Sequence, residues 1–335
     1  MKLRRLAGLA ALLPIALLSA CSSVSPLTIN ANWYHDTTTR GILPGTYERL
    51  EYDVSFKQGD TDLKASYQNG TYAVELKGET GFFYGENLAL YHLHTEFSAD
   101  VSFSMDGKGS TDTFTDSVVT DVWFRDVNGG LAPVKSTRTV ISTTPLSDHP
   151  ENLNKDVAYR IYEYSTTTEY DAALEEAKLT YDEVRPEPEA RDSEKKIDIG
   201  GKGTYLDNEE IAFALRGLDM SSAFTFRTIN PVKRVVEKIG ADATPEEVSQ
   251  PVNFTLAKVG SSEEPEVINK SIDAFSVGVE YKGANPGYTQ TLVYARKTNA
   301  SNNQYRNFLL EMRVPLLNGI GTLTYTLKSA TISEN

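Results

Sequence analysis

LALYHLHTEFSADVSFSM, residues Leu88–Met105, alternates over its whole length. Tyr91, Leu93, Phe97, Val101, Phe103 and Met105 fall on one parity, and His92, His94, Glu96, Ser98 and Asp100 on the other. Successive side chains of a strand point to opposite faces, so this pattern specifies one long strand with a buried face and a wet face.

The same signal spreads in both directions. TYERLEYDVSFK (Thr46–Lys57) places Leu50, Tyr52, Val54 and Phe56 on one face. LKASYQNGTYAVELK (Leu63–Lys77) carries Asn69-Gly70 between two alternating runs, which predicts a two-residue hairpin because both turn positions tolerate positive φ. Residues 117–143 read as strand, turn and strand, and Val157–Asp171 and Lys178–Val184 as two more. Short turns between them predict antiparallel pairing. DEVRPEPEARDSEKKIDIGG (Asp182–Gly201) is charged and contains Pro186 and Pro188, so it reads as an exposed linker between halves 32–181 and 202–335.

The second half opens on LDNEEIAFALRGLDM, the one helical pattern. Asp207 is the expected N-cap, Glu210 completes a capping box, and Ile211, Ala214, Leu215 and Leu218 form an apolar stripe ended by Gly217. About ten residues are too few to stand alone as a helix, so the stripe must be buried on a sheet. Further strands are expected at 223–229, 232–239, 252–259, 272–281, 288–297, 305–315 and 322–329, with a turn at Asn285-Pro286-Gly287. The resulting expectation is a mainly β fold, a single domain over 32–335. A long antiparallel curved sheet forms a half-barrel, with the short helix packed on its concave face.

The N-terminus fixes the compartment. Lys2, Arg4 and Arg5 precede the apolar run Leu6–Leu18, which is shorter than the roughly 20 residues a membrane-spanning helix needs and has the shape of a secretory signal. LSAC (Leu18–Cys21) closes that run, and Cys21 is the single cysteine of 335 residues. This resembles the lipobox of bacterial lipoproteins. The resemblance implies removal of signal peptide 1–20, lipid on the Cys21 thiol, and attachment of the exported protein to a bacterial membrane. Residues 21–31, small and polar with one proline, read as a tether. The thiol is then an attachment point, neither a nucleophile nor half of a disulfide.

Residues 1–20 hold three basic and no acidic residues. The formal charge of −13 therefore becomes −16 after cleavage, with 30 Lys and Arg against 46 Asp and Glu. Such a surface repels phosphate backbones, which sets nucleic-acid binding aside.

FALRGLDM, NPGYTQTLVYARK and LEMRVPLLNGIGTLTYTLKS, within Asp207–Ser329, resemble the C-terminal part of an uncharacterised family of exported bacterial proteins related to the lipoprotein-carrier (LolA-like) half-barrels. VWFRDVNGGLAPVKS in the first half does so more weakly. The resemblance implies a sheet curled around a helix; in the carriers the concave side holds acyl chains. This chain is longer and carries its own lipobox.

Candidate chemistry is sparse. His92, His94 and Glu96 share one face of a strand and could meet a zinc ion, yet their face is the wet one. GGKG (Gly200–Gly203) lacks the rest of a phosphate loop, and Ser193–Lys196 matches S-x-x-K without its partner motifs. Tyr159, Tyr162, Tyr164 and Tyr170 could line a sugar-binding surface or pack their rings. No catalytic signature or cofactor motif is present. The sequence therefore points to a membrane-anchored envelope lipoprotein that binds an apolar or lipid component, or a protein partner. Ile211, Ala214, Leu215 and Leu218 would line the concavity. A carbohydrate-binding module and a zinc enzyme built on His92 and His94 are the alternatives.

Overall fold

The computed structural model describes residues 45–127, 130–145, 157–187, 190–200, 204–217, 220, 222–229, 238–282, 289–296, 305–316 and 319–333. In chain order the strands of the first half are β1 (Tyr47–Gln58), β2 (Leu63–Phe83), β3 (Glu86–Met105), β4 (Gly109–Ser110), β5 (Phe114–Val127), β6 (Gly130–Pro145), β7 (Tyr159–Tyr170), β8 (Glu176–Arg185) and β9 (Ser193–Asp198). The second half adds β10 (Thr204–Tyr205), β11 (Phe224–Ile229), β12 (Lys238–Lys258), β13 (Glu266–Tyr281), β14 (Thr289–Ala295), β15 (Leu309–Pro315) and β16 (Gly321–Ile332). Between β10 and β11 lies one helical segment: a 3₁₀ turn Asn208–Glu210, an α turn Ile211–Ala214 and a second 3₁₀ turn Leu215–Gly217.

All sixteen strands belong to one sheet, and its order brings the two halves of the chain together at its middle. β16 pairs with β1, so the last strand lies beside the first. From there the order runs through β2, β3, β5, β6, β7 and β8 to β9 on one side, and through β15, β14, β13, β12 and β11 to β10 on the other. Pairing is antiparallel except for two short parallel ladders, β10 with β11 and β12 with β16. The second parallel ladder closes part of the sheet on itself. β16 uses Thr322–Thr326 to pair with β15 and Ser329–Ile332 to pair with the end of β12, so β12 to β16 form a ring of five strands. The mainly β architecture is as the alternation requires, and at this ring it is more closed than a half-barrel.

The buried parity of β3 is as its sequence dictates: Tyr91, Leu93, Val101 and Phe103 are all at most 2 % exposed. Tyr91 and Leu93 join Leu50, Tyr52, Leu76, Phe124, Tyr294 and others in the main core cluster, while Val101 and Phe103 pack with Leu63, Ala99, Val157 and Ile320 in a separate one. A smaller cluster of Tyr170, Ala177, Leu179, Tyr181, Ile197, Ile199 and Ile229 brings β8 and β9 against the end of β11, so the two far arms of the sheet meet.

The structure departs from the sequence reading in four places. Asn69-Gly70 is not a hairpin turn. β2 runs straight through it for 21 residues, and Asn69, at φ 52°, forms a bulge where the register with β3 shifts between Gln68 and Thr71. The Asn69 side chain donates to Asp100 Oδ2 at 2.8 Å, and Gly70 lets β1 come close: a Cβ there would lie 2.9 Å from Val54 Cβ. One positive-φ residue makes a bulge; a two-residue turn needs two.

The second departure is the charged stretch 182–201, which is not a linker throughout. It contains the end of β8 and the edge strand β9, which pair from Glu176↔Asp198 to Tyr181↔Ser193. Cross-strand pairs Lys196–Glu176 at 2.8 Å and Lys178–Glu194 at 3.0 Å account for the charge, and Ile197 buries its side chain. A charged edge strand protects a sheet from pairing with other chains. Third, β12 begins at Lys238 rather than near Val252. Pro245 and Pro251 interrupt the strand signal, but both fall where β12 has β13 as its one ladder partner among the described residues. Fourth, the helix is shorter and tighter than its pattern suggests, with one α turn between two 3₁₀ turns. The turn at 285–287 and the strand at 232–239, apart from its last two residues, lie outside the described residues.

Replacing Gly70 by alanine tests the bulge. The new methyl must displace the root of Val54 or the β1 backbone, so Gly70→Ala should cost about 1–3 kcal/mol in chemical denaturation. Unchanged stability would mean that β1 and β2 do not approach as described.

Candidate functional site

The helical segment lies inside the curve of the sheet. Its N-terminus carries the expected capping box: Glu209 N donates to Asp207 Oδ1 at 2.8 Å, and Asp207 N donates to Glu210 Oε1 at 3.0 Å. Asp207 also accepts from Ser136 Oγ of β6 at 2.6 Å and from the Tyr170 hydroxyl of β7. On the far side, the Tyr294 hydroxyl of β14 donates to Ala212 O at 2.7 Å. Strands from both arms therefore grip the same turn of helix.

Its deepest contact is ionic. Arg216 Nη1 and Nη2 donate to the two oxygens of Glu48 on β1 at 2.6 and 3.1 Å, and both side chains are 1 % exposed. The guanidinium also donates to the carbonyls of Asn307 at 3.0 Å and Arg306 at 2.7 Å, and the Asn307 side chain returns a bond to Arg216 O at 2.9 Å. Arg306 and Asn307 both have positive φ, in the turn that leads into β15. The rings of Phe213 and Phe308 lie 5.3 and 5.7 Å from the guanidinium carbon. Paired, donated and ringed in this way, the charge is tolerable inside a core.

The carboxylates around the helix start are perturbed by the same burial. Desolvation, with the charge of Glu209, pushes Asp207 up to about 6 although Ser136 and Tyr170 donate to it. Burial, then the neighbouring Asp207, raises Glu210 well above the ordinary carboxylate range. Glu210 Oε2 finds no hydrogen-bond partner among the described residues, a cost that a neutral acid bears more easily than a carboxylate.

Of the expected cavity residues, Ile211, Ala214 and Leu215 are at most 2 % exposed and packed in the main core; Leu218 lies outside the described residues. Phe213, which the stripe omits, is buried as well and packs edge-on or tilted against Tyr91 and Phe124. A pocket between helix and sheet, near Tyr72, Thr95 and Arg216, has a volume of about 20 Å³. That is room for about one water molecule, not for an acyl chain. Among the described residues the helix packs its apolar side chains into the concavity.

His92, His94 and Glu96 are brought together on the outer face, around a residue the sequence pattern did not single out. Asp121 of β5 lies opposite His94, and its Oδ1 stands 2.8 Å from both His92 Nε2 and His94 Nδ1. His94 Nε2 is 3.0 Å from Glu96 Oε1. Each ring nitrogen of His94 therefore faces a carboxylate, which suits a doubly protonated imidazolium rather than a metal ligand with a free lone pair. His92 stacks on Trp123 at 4.5 Å, and Trp123 donates to Glu79 at 3.1 Å. Among the described residues no group of three or more His, Cys, Asp and Glu side chains is placed to hold a metal ion.

The tyrosines pack. Tyr164 and Tyr170 join the smaller cluster, Tyr159 lies against Phe114 at 4.7 Å, and the Arg160 guanidinium sits over Tyr162. Ser193 and Lys196 are exposed on β9, and most of the GGKG stretch and all of 1–44, Cys21 included, lie outside the described residues.

The described residues form a mainly β fold, one large curved antiparallel sheet, partly closed into a ring, around a short internal helix. No family model matches the chain, and no curated protein matches it. A solved structure described as a β-barrel-like protein of a domain of unknown function (DUF1849) from Brucella abortus is similar at 11 % identity, covering 88 % of this chain and 100 % of the other with a TM-score of 0.46.

The histidine cluster predicts a pH effect. Burial opposes the charge on His94, but the bonds to Glu96 and Asp121 outweigh it and raise its pKa. The stabilisation is fully present below the unfolded value near 6.5 and is lost as pH rises through the higher folded value. His94→Gln should therefore lose less stability than the wild type between pH 6 and pH 8. The difference should be within about 1 kcal/mol, because the pair is partly solvated. Parallel Tm–pH curves for the two proteins would contradict the assignment.

Proposed function

We propose that this chain is a lipid-anchored protein of the bacterial cell envelope that acts by binding, without chemistry of its own. The anchor rests on LSAC at Leu18–Cys21, directly after a basic n-region and an apolar run of signal-peptide length. Two or three acyl chains on one N-terminal residue give stable attachment where one gives a marginal one. The bound component is a protein of the envelope rather than a lipid carried inside. The observation behind this choice is the concavity occupied by helix side chains, where a pocket of about 20 Å³ lies beside a helix held by the Glu48–Arg216 pair. On this reading the resemblance of Asp207–Ser329 to the lipoprotein carriers concerns architecture and not cargo.

Intact mass of the protein purified from bacterial membranes tests the reading. The expected mass lacks residues 1–20 and carries a diacylglyceryl group on Cys21, with no co-purified lipid in native spectra. Cys21→Ser should abolish the lipid mass and release the protein from the membrane fraction. An unmodified Cys21 in membrane-extracted protein would overturn the anchor, and a stoichiometric lipid surviving native conditions would overturn the choice of partner.

A further inference from the structure

We propose that the β2–β3 hairpin tip, with Phe82 and Tyr84 at its point, is a membrane-contacting wedge that enters the interfacial layer of the bilayer to which Cys21 is attached. The proposal rests on the lipid-anchor reading for the identity of the surface, and on the strand register for the direction in which the tip points.

One row of the sheet fixes that direction. Tyr47 lies opposite Lys77, Lys77 opposite His92, His92 opposite Trp123, and Trp123 opposite Lys135. The chain enters the sheet at this row, with Thr46 O accepting from Gly78 N. β2 does not stop there. It continues through Phe83 and turns at Tyr84-Gly85, so the hairpin rises six residues, about 20 Å at roughly 3.3 Å each, past the point where the N-terminal segment joins. The first described residues, Gly45 and Thr46, therefore lie at the end of the sheet toward which the hairpin points.

What the hairpin carries there is apolar. Phe82 is 70 % exposed, the highest value among the exposed large apolar side chains, and Tyr84 is 38 % exposed. Phe83 between them is half-buried. Val127, at the tip of the β5–β6 hairpin, and Val259, just past the end of β12, are exposed at the same end of the sheet. Val184, also exposed, stands apart near the far end of β8. The tip is braced rather than loose: Arg125 lies over the Tyr84 ring at 5.1 Å and donates to Ala172 O in the β7–β8 turn. Phe and Tyr projecting together from a rigid hairpin lose water contact at no ordering cost when they enter the headgroup layer, where aromatic rings are favoured. Glu86 sits at the same tip and the chain cleaved at Cys21 is acidic at −16, with 30 Lys and Arg against 46 Asp and Glu, so the surface that fits is a zwitterionic one.

The test places one tryptophan at the tip and one away from it. Phe82→Trp and Val184→Trp proteins, each lipidated, are reconstituted on phosphatidylcholine vesicles with and without phosphatidylcholine brominated near the top of its acyl chains. The proposal expects the added emission of Phe82→Trp to fall at least twofold with brominated lipid and that of Val184→Trp to be unchanged. In parallel, unlipidated Cys21→Ser protein is floated with plain vesicles. Phe82→Ser with Tyr84→Ser should reduce its partitioning about tenfold, with little dependence on salt. Should Cys21 prove unmodified, the flotation arm still decides the wedge without the anchor. Equal quenching at the two positions, or flotation that ignores the two aromatics, would overturn the proposal. Tip-dependent dimers in the absence of vesicles, without quenching on them, would overturn it in favour of a second copy of the chain.

Discussion

The architecture turns on a single buried ion pair. Glu48 is the second residue of β1, and Arg216 lies in the last turn of the helical segment 168 residues later. Taking both charges out of water is expensive, and the cost is met by two direct bonds, two backbone carbonyls and two flanking rings acting together. The pair is therefore a positional constraint more than a source of net stability. It ties the helix to the central strand β1, to the 306–307 turn before β15, and through Phe213 to β3 and β5. A sheet this long and curved would otherwise enclose a void, and the helix held there by Arg216 is what fills it.

That filling bears on function. A curved sheet with an empty concavity is a container; in the same sheet with its helix seated, the apolar side chains of the helix occupy that space. The buried acids at the helix start, Asp207 and Glu210, belong to the capping box and the ring of hydroxyls around it, and burial is the first cause of their raised pKa values. The histidines on the outer face are likewise satisfied by carboxylates.

Much of this was legible in the sequence. Alternation specified β3 and the faces of β1, and the spacing of Asp207 and Glu210 specified the cap. The misreadings share a cause: local signals whose meaning depends on a neighbour. Asn69-Gly70 suits a turn or a bulge, and the proximity of Val54 and Asp100 decides for the bulge. The charges of 193–198 suit a linker or an edge strand, and the cross-strand partners on β8 decide for the strand. The ion pair was half visible. Glu48 continues the buried parity of Leu50 and Tyr52, so an acid there needs a cation. Nothing local identifies Arg216 as that cation, because the contact forms only when the segment between β10 and β11 folds back onto β1 at the middle of the sheet. Asp121 was missed for the same reason, since its pairing with His94 depends on the β3–β5 register.

A double-mutant cycle on Glu48 and Arg216 tests the central claim most directly. Stability would be measured by denaturation for Glu48→Gln, Arg216→Met and the double variant. Each single change should cost about 3–5 kcal/mol, because it strands the other charge in the core. The double variant should cost much less than the sum of the two. Small, additive effects would show that the two charges are solvated and independent, and that the helix is not held in the sheet by this pair.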